Sequence, residues 1–259
     1  MEENRKLALE KLRNCRELGG LPAAGGKRIR RNCLLRSSDL SAVTANDRAL
    51  LTKKYRLSLV VDLRTDVERF EKPDVLIRGV DYLKTPVFTE EQVGITREKP
   101  QGIPDVKDLP GMDQLYRLMT LDENCRKNFR RILRSILLHD YSRGSVLWHC
   151  TEGKDRGGMI AMFLEELLGV DREIIREDYL MTNLENEGRG EKGYQNALKR
   201  GAPEAFAEYV RKTYMALPEY LDAVYDAAEE QFGGMENYLM KGLELEPEWI
   251  ETFREQVLE

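Results

Sequence analysis

The sequence predicts an α/β fold in which a mostly parallel β-sheet is flanked by helices and followed by further helices. Two observations support this. Short apolar runs typical of strands alternate with helical patterns in the first two thirds of the chain, and from residue 171 onward the pattern is almost wholly helical. Strands alternating with helices are typical of a sheet with helices packed on it. We expect one domain, 1–259, with a core of about 1–185 and a helical part of about 186–259.

Four segments are predicted to be strands: residues 32–36, 57–63, 80–87 and 145–148. The second is a continuous run of apolar and β-branched residues, which fits a strand buried on both faces. Residues 14–26 are rich in glycine and predict turns.

Between the strands, residues 85–111 contain four prolines and predict a long loop, a type of segment that is often functional. Residues 113–138 predict one or two amphipathic helices, with His139 as a surface cap at their end. Residues 156–168 predict a helix that Gly169 terminates.

Composition excludes several classes of protein. With 41 Lys and Arg against 46 Asp and Glu, the net charge of −5 gives no general attraction to nucleic acid. Two histidines and four scattered cysteines do not form a His-rich or CxxC metal site, so we expect no metal and no cofactor.

The hydropathy and the N-terminal residues predict a cytoplasmic location for the protein. The absence of an apolar run of 18 residues predicts no stable insertion into a membrane. The charged N-terminus does not resemble a secretory signal, and unclustered cysteines favour the reducing cytoplasm. A secreted protein whose signal has been removed stays open as an alternative, and the oligomeric state is not predicted.

The segment with recognisable chemistry follows the last predicted strand. It consists of His149, Cys150, Thr151, Glu152, Gly153, Lys154, Asp155, Arg156 and Gly157. Backbone N–H groups of a loop that leads into a helix converge on an anion. The guanidinium of Arg156 can bind two phosphate oxygens, and Gly153 permits the turn. The spacing predicts that residues 151–157 bind phosphate.

Cys150 stands at the carboxyl end of the strand, beneath such a phosphate. A helix N-terminus and a nearby arginine stabilise a thiolate, which is a nucleophile toward phosphorus. The expected reaction has two steps: Cys150 takes the phosphoryl group, and water then removes it. Arg156 and the loop amides would stabilise the charge on the transferred group. The alternative is an inert buried cysteine, the common fate of a free cysteine.

This loop resembles the Cys-x5-Arg signature of the protein tyrosine phosphatase superfamily. Its longer form, His-Cys-x-x-Gly-Lys-Asp-Arg, resembles a branch of bacterial tyrosine phosphatases that also act on phosphoinositides. Further segments resemble this branch, namely 14–20, 30–38, 61–64, 168–183 and 234–239. The resemblance implies a tyrosine-phosphatase-like sheet, a C-terminal helical region that can form a lid, and a phosphoprotein or phosphoinositide substrate.

Residue by residue, the resemblance implies that Cys150 is the nucleophile, Arg156 the phosphate clamp and Asp155 a participant in catalysis. Inositol-lipid phosphatases of the superfamily also have lysine at the position of Lys154, where a second cation would suit an inositol ring. The alternative for Lys154 is a solvated loop lysine. The family usually has Ser or Thr after the arginine, where this chain has Gly157. That hydroxyl helps the sulfur leave in the second step, so slow turnover is expected.

The general acid is predicted to be a carboxylate. Asp155 is the first candidate by resemblance, and its alternative role is to hold the loop or to pair with Arg64. Asp105 is the other candidate, because Ile103-Pro104-Asp105 loosely resembles the Trp-Pro-Asp acid loop of other tyrosine phosphatases.

Three residues are expected to support the site. Asp62 ends a predicted strand, at the edge where α/β proteins bind ligands, and we expect it to pair with Arg64. The side chain of His149 points to the opposite face of its strand from Cys150, so we expect it to support the loop rather than act as a base.

The sequence thus favours a metal-independent phosphomonoester hydrolase that acts through phosphocysteine. Its alternative is a catalytically weak phosphate-binding pseudophosphatase, suggested by Gly157. A redox or sulfurtransferase protein lacks support, because no resolving CxxC is present.

Overall fold

The computed structural model describes residues 5–89 and 105–259. Within them, five strands form one sheet in the order β1-β2-β5-β3-β4. The strands are β1 (Arg16–Glu17), β2 (Leu34–Ser37), β3 (Leu57–Asp62), β4 (Asp81–Lys84) and β5 (Ser145–His149). Only β1 is antiparallel to its neighbour; the other pairs are parallel. The predicted α/β class with a mostly parallel sheet is confirmed.

All four predicted strands are present with shifted ends, and a fifth was missed. The glycine-rich segment 14–26, predicted as turns, contains β1, whose Arg16 and Glu17 pair with Arg36 and Leu35. Two polar residues carry no strand pattern, so this pairing was not visible in the sequence.

Helices cover both faces of the sheet and most of the C-terminal half. They are α1 (Ala45–Lys53), α2 (Asp66–Glu71), α3 (Met112–Leu121), α4 (Glu123–Leu137), α5 (Asp155–Leu167), α6 (Arg172–Leu180), α7 (Thr182–Glu185), α8 (Arg189–Lys199), α9 (Glu204–Thr213), α10 (Pro218–Phe232), α11 (Met235–Asn237) and α12 (Pro247–Val257). A π-helical turn, Tyr238–Gly242, follows α11. No helix in these described ranges is long and apolar enough to cross a membrane.

The predicted helical segment 113–138 consists of two helices. Asp122 separates them, because its carboxylate accepts a hydrogen bond from the backbone N–H of Cys125 and so caps α4. His139, expected as a surface cap, is instead buried, and its Nε2 lies 3.0 Å from the hydroxyl of Ser58.

Successive side chains along the strands point to opposite faces of the sheet, and each face packs against its own apolar core. Val61 and Val146 face the larger core, which helices α4, α5, α6, α10 and α12 complete. Their neighbours Val60 and Leu147 face a smaller core with Leu51 of α1. This period of two is the reason that a parallel sheet buried on both faces gives continuous apolar runs.

Parallel strands end at a common edge, and this edge positions the candidate site. The last residues of β2, β5 and β3 are Ser37, His149 and Asp62, and the register pairs His149 with both of the others. Cys150 follows immediately, so the loop predicted to bind phosphate starts at the carboxyl edge of the sheet.

A buried ionic cluster lies beneath this edge. The carboxylate of Asp178, fully buried on α6, is within hydrogen-bond distance of three arginines: Arg5 Nη1 at 2.6 Å, Arg16 Nε at 3.2 Å and Arg36 Nη1 at 3.0 Å. Burial and then the charge of Asp178 raise the pKa of the neighbouring Glu165 well above its usual range, which favours the neutral form of Glu165. Asp178 therefore supplies the main compensating charge for the three guanidinium groups.

Replacement of Asp178 by Asn should destabilise the protein by about 3 kcal/mol or more, because three buried cations lose their counterion. Urea unfolding measures the loss. The control is Asp222→Asn, which breaks the partly exposed pair with Arg176 at 2.6 Å and should cost about 1 kcal/mol or less. Equal losses in the two variants would contradict this account of the cluster.

Candidate active site

The candidate nucleophile lies at the strand–loop junction. Cys150 follows β5 directly, and its side chain is buried, with 3% exposure. Helix α5 begins at Asp155, so residues 150–154 form the connecting loop and Arg156 lies in the first turn of the helix. The loop therefore has the strand–loop–helix arrangement that the sequence predicted.

Gly153 permits the sharpest bend of this loop. Its φ of +68° lies in the left-handed region, and a Cβ at this position would approach the carbonyl oxygen of Ser37 to 2.3 Å. Any other residue would be strained and would collide with β2, so the close approach of loop and strand requires glycine.

Three consecutive carbonyl groups of the loop accept hydrogen bonds from outside it. Thr151 O accepts from Asp39 N at 3.2 Å, Glu152 O from Asn14 Nδ2 at 3.1 Å, and Gly153 O from Arg36 Nη2 at 2.8 Å. In a planar trans peptide the N–H points opposite to the C=O. The N–H groups of residues 152–154 consequently point toward the other side of the loop, where an anion would bind.

Arg156 is held by a carboxylate that the sequence analysis did not assign to the site. Its Nη1 and Nη2 donate to Glu68 Oε2 at 2.6 Å and Oε1 at 2.8 Å, and its guanidinium lies 5.7 Å from the ring centre of Phe88. Burial alone would lower the pKa of Arg156, but Glu68 and the charge of Cys150 raise it above its usual range. The guanidinium is thus permanently charged and fixed in orientation.

Glu68 itself is fixed by the start of α2. Its carboxylate accepts from the backbone N–H of Thr65 at 3.0 Å and from the hydroxyl of Thr151 at 2.7 Å. Burial opposes ionisation, yet the bonds from Arg156 and Thr151 bring the pKa of Glu68 far below its usual range. The pattern Thr-x-x-Glu is a capping-box signature that could have revealed α2, although not its contact with Arg156.

Asp155 lies in the first turn of α5 with 26% of its side chain exposed. Its Oδ1 accepts from the hydroxyl of Tyr116 at 2.7 Å and lies 3.0 Å from Nζ of Lys154. The alternative that Asp155 pairs with Arg64 is wrong, because Arg64 binds Asp62 and Asp74.

The alternative of a solvated Lys154 is also wrong, since its side chain is only 1% exposed. Its ammonium donates to the carbonyl of Met215 at 2.9 Å and lies 5.4 Å from the ring centre of Tyr220. The side chain therefore connects the loop to the C-terminal helices, and a contact with bound phosphate stays a prediction.

The supporting residues form a second ionic cluster behind the loop. Asp62 binds Arg64 through two bonds of 2.9 Å, and Asp74 Oδ2 lies 2.9 Å from Arg64 and 3.1 Å from Nε2 of His149. Nδ1 of His149 lies 3.1 Å from the carbonyl oxygen of Cys150. Burial lowers the pKa of His149, but Asp74 and Asp62 raise it above its usual value.

These carboxylates and His149 have the donor types and spacing of a metal site. Arg64 already contacts both carboxylates, and protonated His149 would supply a second positive charge. The two carboxylates therefore already have protein partners in this cluster. Asp62, Arg64 and His149 thus lie together behind the loop, and their supporting role stays a prediction.

The other loop residues have distinct positions. The carboxylate of Glu152 points out of the loop to Arg189 at 2.8 Å and Arg13 at 3.4 Å, so only its backbone N–H is available to a phosphate. At Gly157 the carbonyl accepts from Trp148 Nε1 at 2.9 Å. A Cβ there would lie 4.0 Å from Trp148, which leaves room for the Cβ itself.

Asp105, the other candidate acid, caps a short 3-10 turn, Val106–Asp108. Its exposed carboxylate accepts from the backbone N–H of Lys107 at 3.1 Å. Ile103 and Pro104, the rest of its motif, lie outside the described residues. The role of Asp105 stays a prediction.

Comparison with known proteins agrees with this geometry. The sequence profile described as the tyrosine phosphatase family matches residues 7–259. A protein of Cupriavidus necator with a provisional tyrosine-protein phosphatase name is 29% identical over 241 residues, which cover 93% of this chain and 85% of that protein.

Two further relatives have similar names. A tyrosine-protein phosphatase of Nostoc commune is 29% identical, and the match covers 84% of this chain and 72% of that protein. A triple specificity protein phosphatase of Mycobacterium tuberculosis is 26% identical, and the match covers 82% of this chain and 86% of that protein. With a family match over nearly its whole length, the chain belongs to the tyrosine phosphatase family.

Proposed function

We propose that this protein hydrolyses phosphomonoesters through a phosphocysteine intermediate on Cys150, without a metal ion. One observation carries the proposal: Cys150 is buried at the base of a loop whose carbonyl groups are held outward, beside an arginine fixed by Glu68. Such an arrangement leaves backbone N–H groups and a guanidinium for a phosphate directly above the sulfur.

In the first step, the thiolate of Cys150 attacks phosphorus, the S–P bond forms, and the bond to the leaving alcohol breaks. Asp155, in its protonated form, gives its proton to the leaving oxygen. In the second step, Asp155 accepts a proton from water as the water oxygen attacks phosphorus and the S–P bond breaks. Arg156 and the loop N–H groups stabilise the charge on the transferred group in both steps.

Phosphotyrosine in proteins is the first proposed substrate class, because relatives are named tyrosine-protein phosphatases. Phosphoserine, phosphothreonine and phosphoinositides form the wider set, for which the triple specificity relative and the resemblance of the loop are the support. The burial of Lys154 adds no support for phosphoinositides, since its ammonium already contacts Met215 and Asp155. The four cysteines are free thiols, which fits our proposal of a reducing, cytoplasmic location.

Cys150→Ser should abolish hydrolysis of p-nitrophenyl phosphate, while the wild-type enzyme remains active in EDTA. The serine variant should still bind inorganic phosphate in calorimetry, because the loop N–H groups and Arg156 are unchanged. Cys33→Ser, which changes another buried free thiol, is the matched control and should keep its activity. Loss of wild-type turnover in EDTA, or turnover by Cys150→Ser, would contradict the proposal.

The acid is tested by comparing Asp155→Asn with Asp105→Asn. Loss of the true acid should lower kcat by about 10²–10⁴ and remove the descending basic limb of the pH–rate profile. We expect this for Asp155→Asn and an unchanged profile for Asp105→Asn. The opposite pattern would assign the acid to Asp105.

The alternative function, a catalytically weak phosphate-binding module, rests on the missing hydroxyl at Gly157. Because a Cβ fits there, Gly157→Thr should supply the hydroxyl and speed hydrolysis of the phosphocysteine by about 10-fold, as expected for a hydrogen bond to a charged group. Rapid-mixing experiments should show a burst in the wild type that diminishes in the variant. Unchanged steady-state turnover would show that Gly157 does not limit the second step.

A further inference from the structure

The two oxygens of the Asp155 carboxyl group have different surroundings. Oδ1 accepts a hydrogen bond from the hydroxyl of Tyr116 at 2.7 Å and lies 3.0 Å from Nζ of Lys154. Among residues 5–89 and 105–259, Oδ2 accepts no hydrogen bond from another residue. A carboxyl group that must deliver a proton needs one oxygen free to carry it. Because both contacts are on Oδ1, the free oxygen here is Oδ2.

The hydroxyl of Tyr116 is held in its position by a second tyrosine. Tyr116 donates to Asp155, so its oxygen is free to accept from the hydroxyl of Tyr179, 2.8 Å away. Both phenols are buried, and burial followed by the charge of Asp155 raises the pKa of each well above its usual value. The two hydroxyl groups therefore remain protonated donors throughout the pH range of an assay.

The ammonium group of Lys154 is held by two contacts of its own. The carbonyl of Met215 and the ring of Tyr220, both from the C-terminal helical part, fix its position. Lys154, in the loop of residues 150–154, and Tyr116, in helix α3, thus approach the same oxygen from two separate elements. Each group also has a second contact that fixes it, Tyr179 for Tyr116 and Met215 for Lys154.

We propose that Tyr116 and Lys154 are positioning residues that occupy Oδ1 of Asp155 and so place the transferable proton on Oδ2. This inference rests on the proposed role of Asp155 as general acid. As Asp155 gives up its proton, negative charge develops on the carboxylate, and the hydroxyl of Tyr116 and the ammonium of Lys154 are already in place to stabilise it. Donors fixed before the reaction stabilise such charge without the cost of reorganisation.

Tyr116→Phe tests the inference, because it removes one hydroxyl and keeps the ring that packs 5.5 Å from Tyr220. The assay is kcat/KM on aryl phosphates whose phenols differ in acidity. Phenyl phosphate needs a proton on its leaving oxygen, whereas dinitrophenyl phosphate needs little help. We expect a loss of about 10-fold or more on phenyl phosphate, which corresponds to a hydrogen bond to a charged group, and less than about 2-fold on dinitrophenyl phosphate.

Two further variants keep the test decisive. Lys154→Met removes the ammonium beside Oδ1 and should show the same dependence on the leaving group. Tyr141→Phe is the control, since it removes a buried hydroxyl that donates to the carbonyl of Ile136 and has no contact with Asp155. An equal loss on every substrate in Tyr116→Phe and Lys154→Met would overturn the inference, because it would indicate a structural role only.

Asp155→Asn in the same series separates this inference from the proposed function. If Asp155→Asn shows no dependence on the leaving group, Asp155 is not the acid and both proposals about it fail. If the loss in Asp155→Asn depends on the leaving group and the loss in Tyr116→Phe does not, only the positioning inference fails. In the double variant, Tyr116→Phe should add less than about 2-fold to the loss caused by Asp155→Asn, since the two residues act as one unit.

Discussion

The direction of three peptide groups between β5 and α5 determines what this site can bind. Their carbonyls are held outward by donors from β2, from the N-terminal segment and from the turn after β2. One of these donors, Arg36, is itself held by buried Asp178, which also binds Arg5 and Arg16. Buried Asp178 thus helps to hold Arg36 and, through it, the carbonyl of Gly153, and the attraction among the four buried charges offsets part of their desolvation cost.

The same principle applies to the guanidinium of Arg156. A long, flexible arginine side chain loses affinity and catalytic effect if it must be ordered by each substrate. Glu68 removes this cost because it binds both Nη atoms of Arg156, while Thr65 and Thr151 fix Glu68 in turn. Stabilisation of a transferred phosphoryl group is strongest where donors are fixed before the reaction begins. The contact links α2 directly to the phosphate loop.

Local patterns were sufficient to predict the fold class, four of the five strands, and the loop from Cys150 to Arg156. Apolar runs mark buried strands, and the spacing of Cys150, Gly153 and Arg156 is a local property of the sequence. Contacts that join distant segments carry no such pattern. Glu68 and Arg156 are 88 positions apart, and Tyr116 and Asp155 are 39 apart, so the partners of both site residues became apparent only in the folded chain.

The buried side chain of Lys154 links the two parts of the chain that the sequence divides at about residue 185, the α/β core and the C-terminal helical part. From the sequence, the C-terminal helices were an addition to a core that held all the chemistry. In the structure, Met215 and Tyr220 fix the ammonium of Lys154, and Lys154 contacts the carboxyl group of the proposed acid. The proposed nucleophile and the proposed phosphate clamp depend on the sheet and α2, whereas the proposed acid depends on both parts of the chain. The helical part is therefore a structural component of the proposed acid's surroundings, since a displacement of the Met215 carbonyl would free Lys154 to move away from Oδ1.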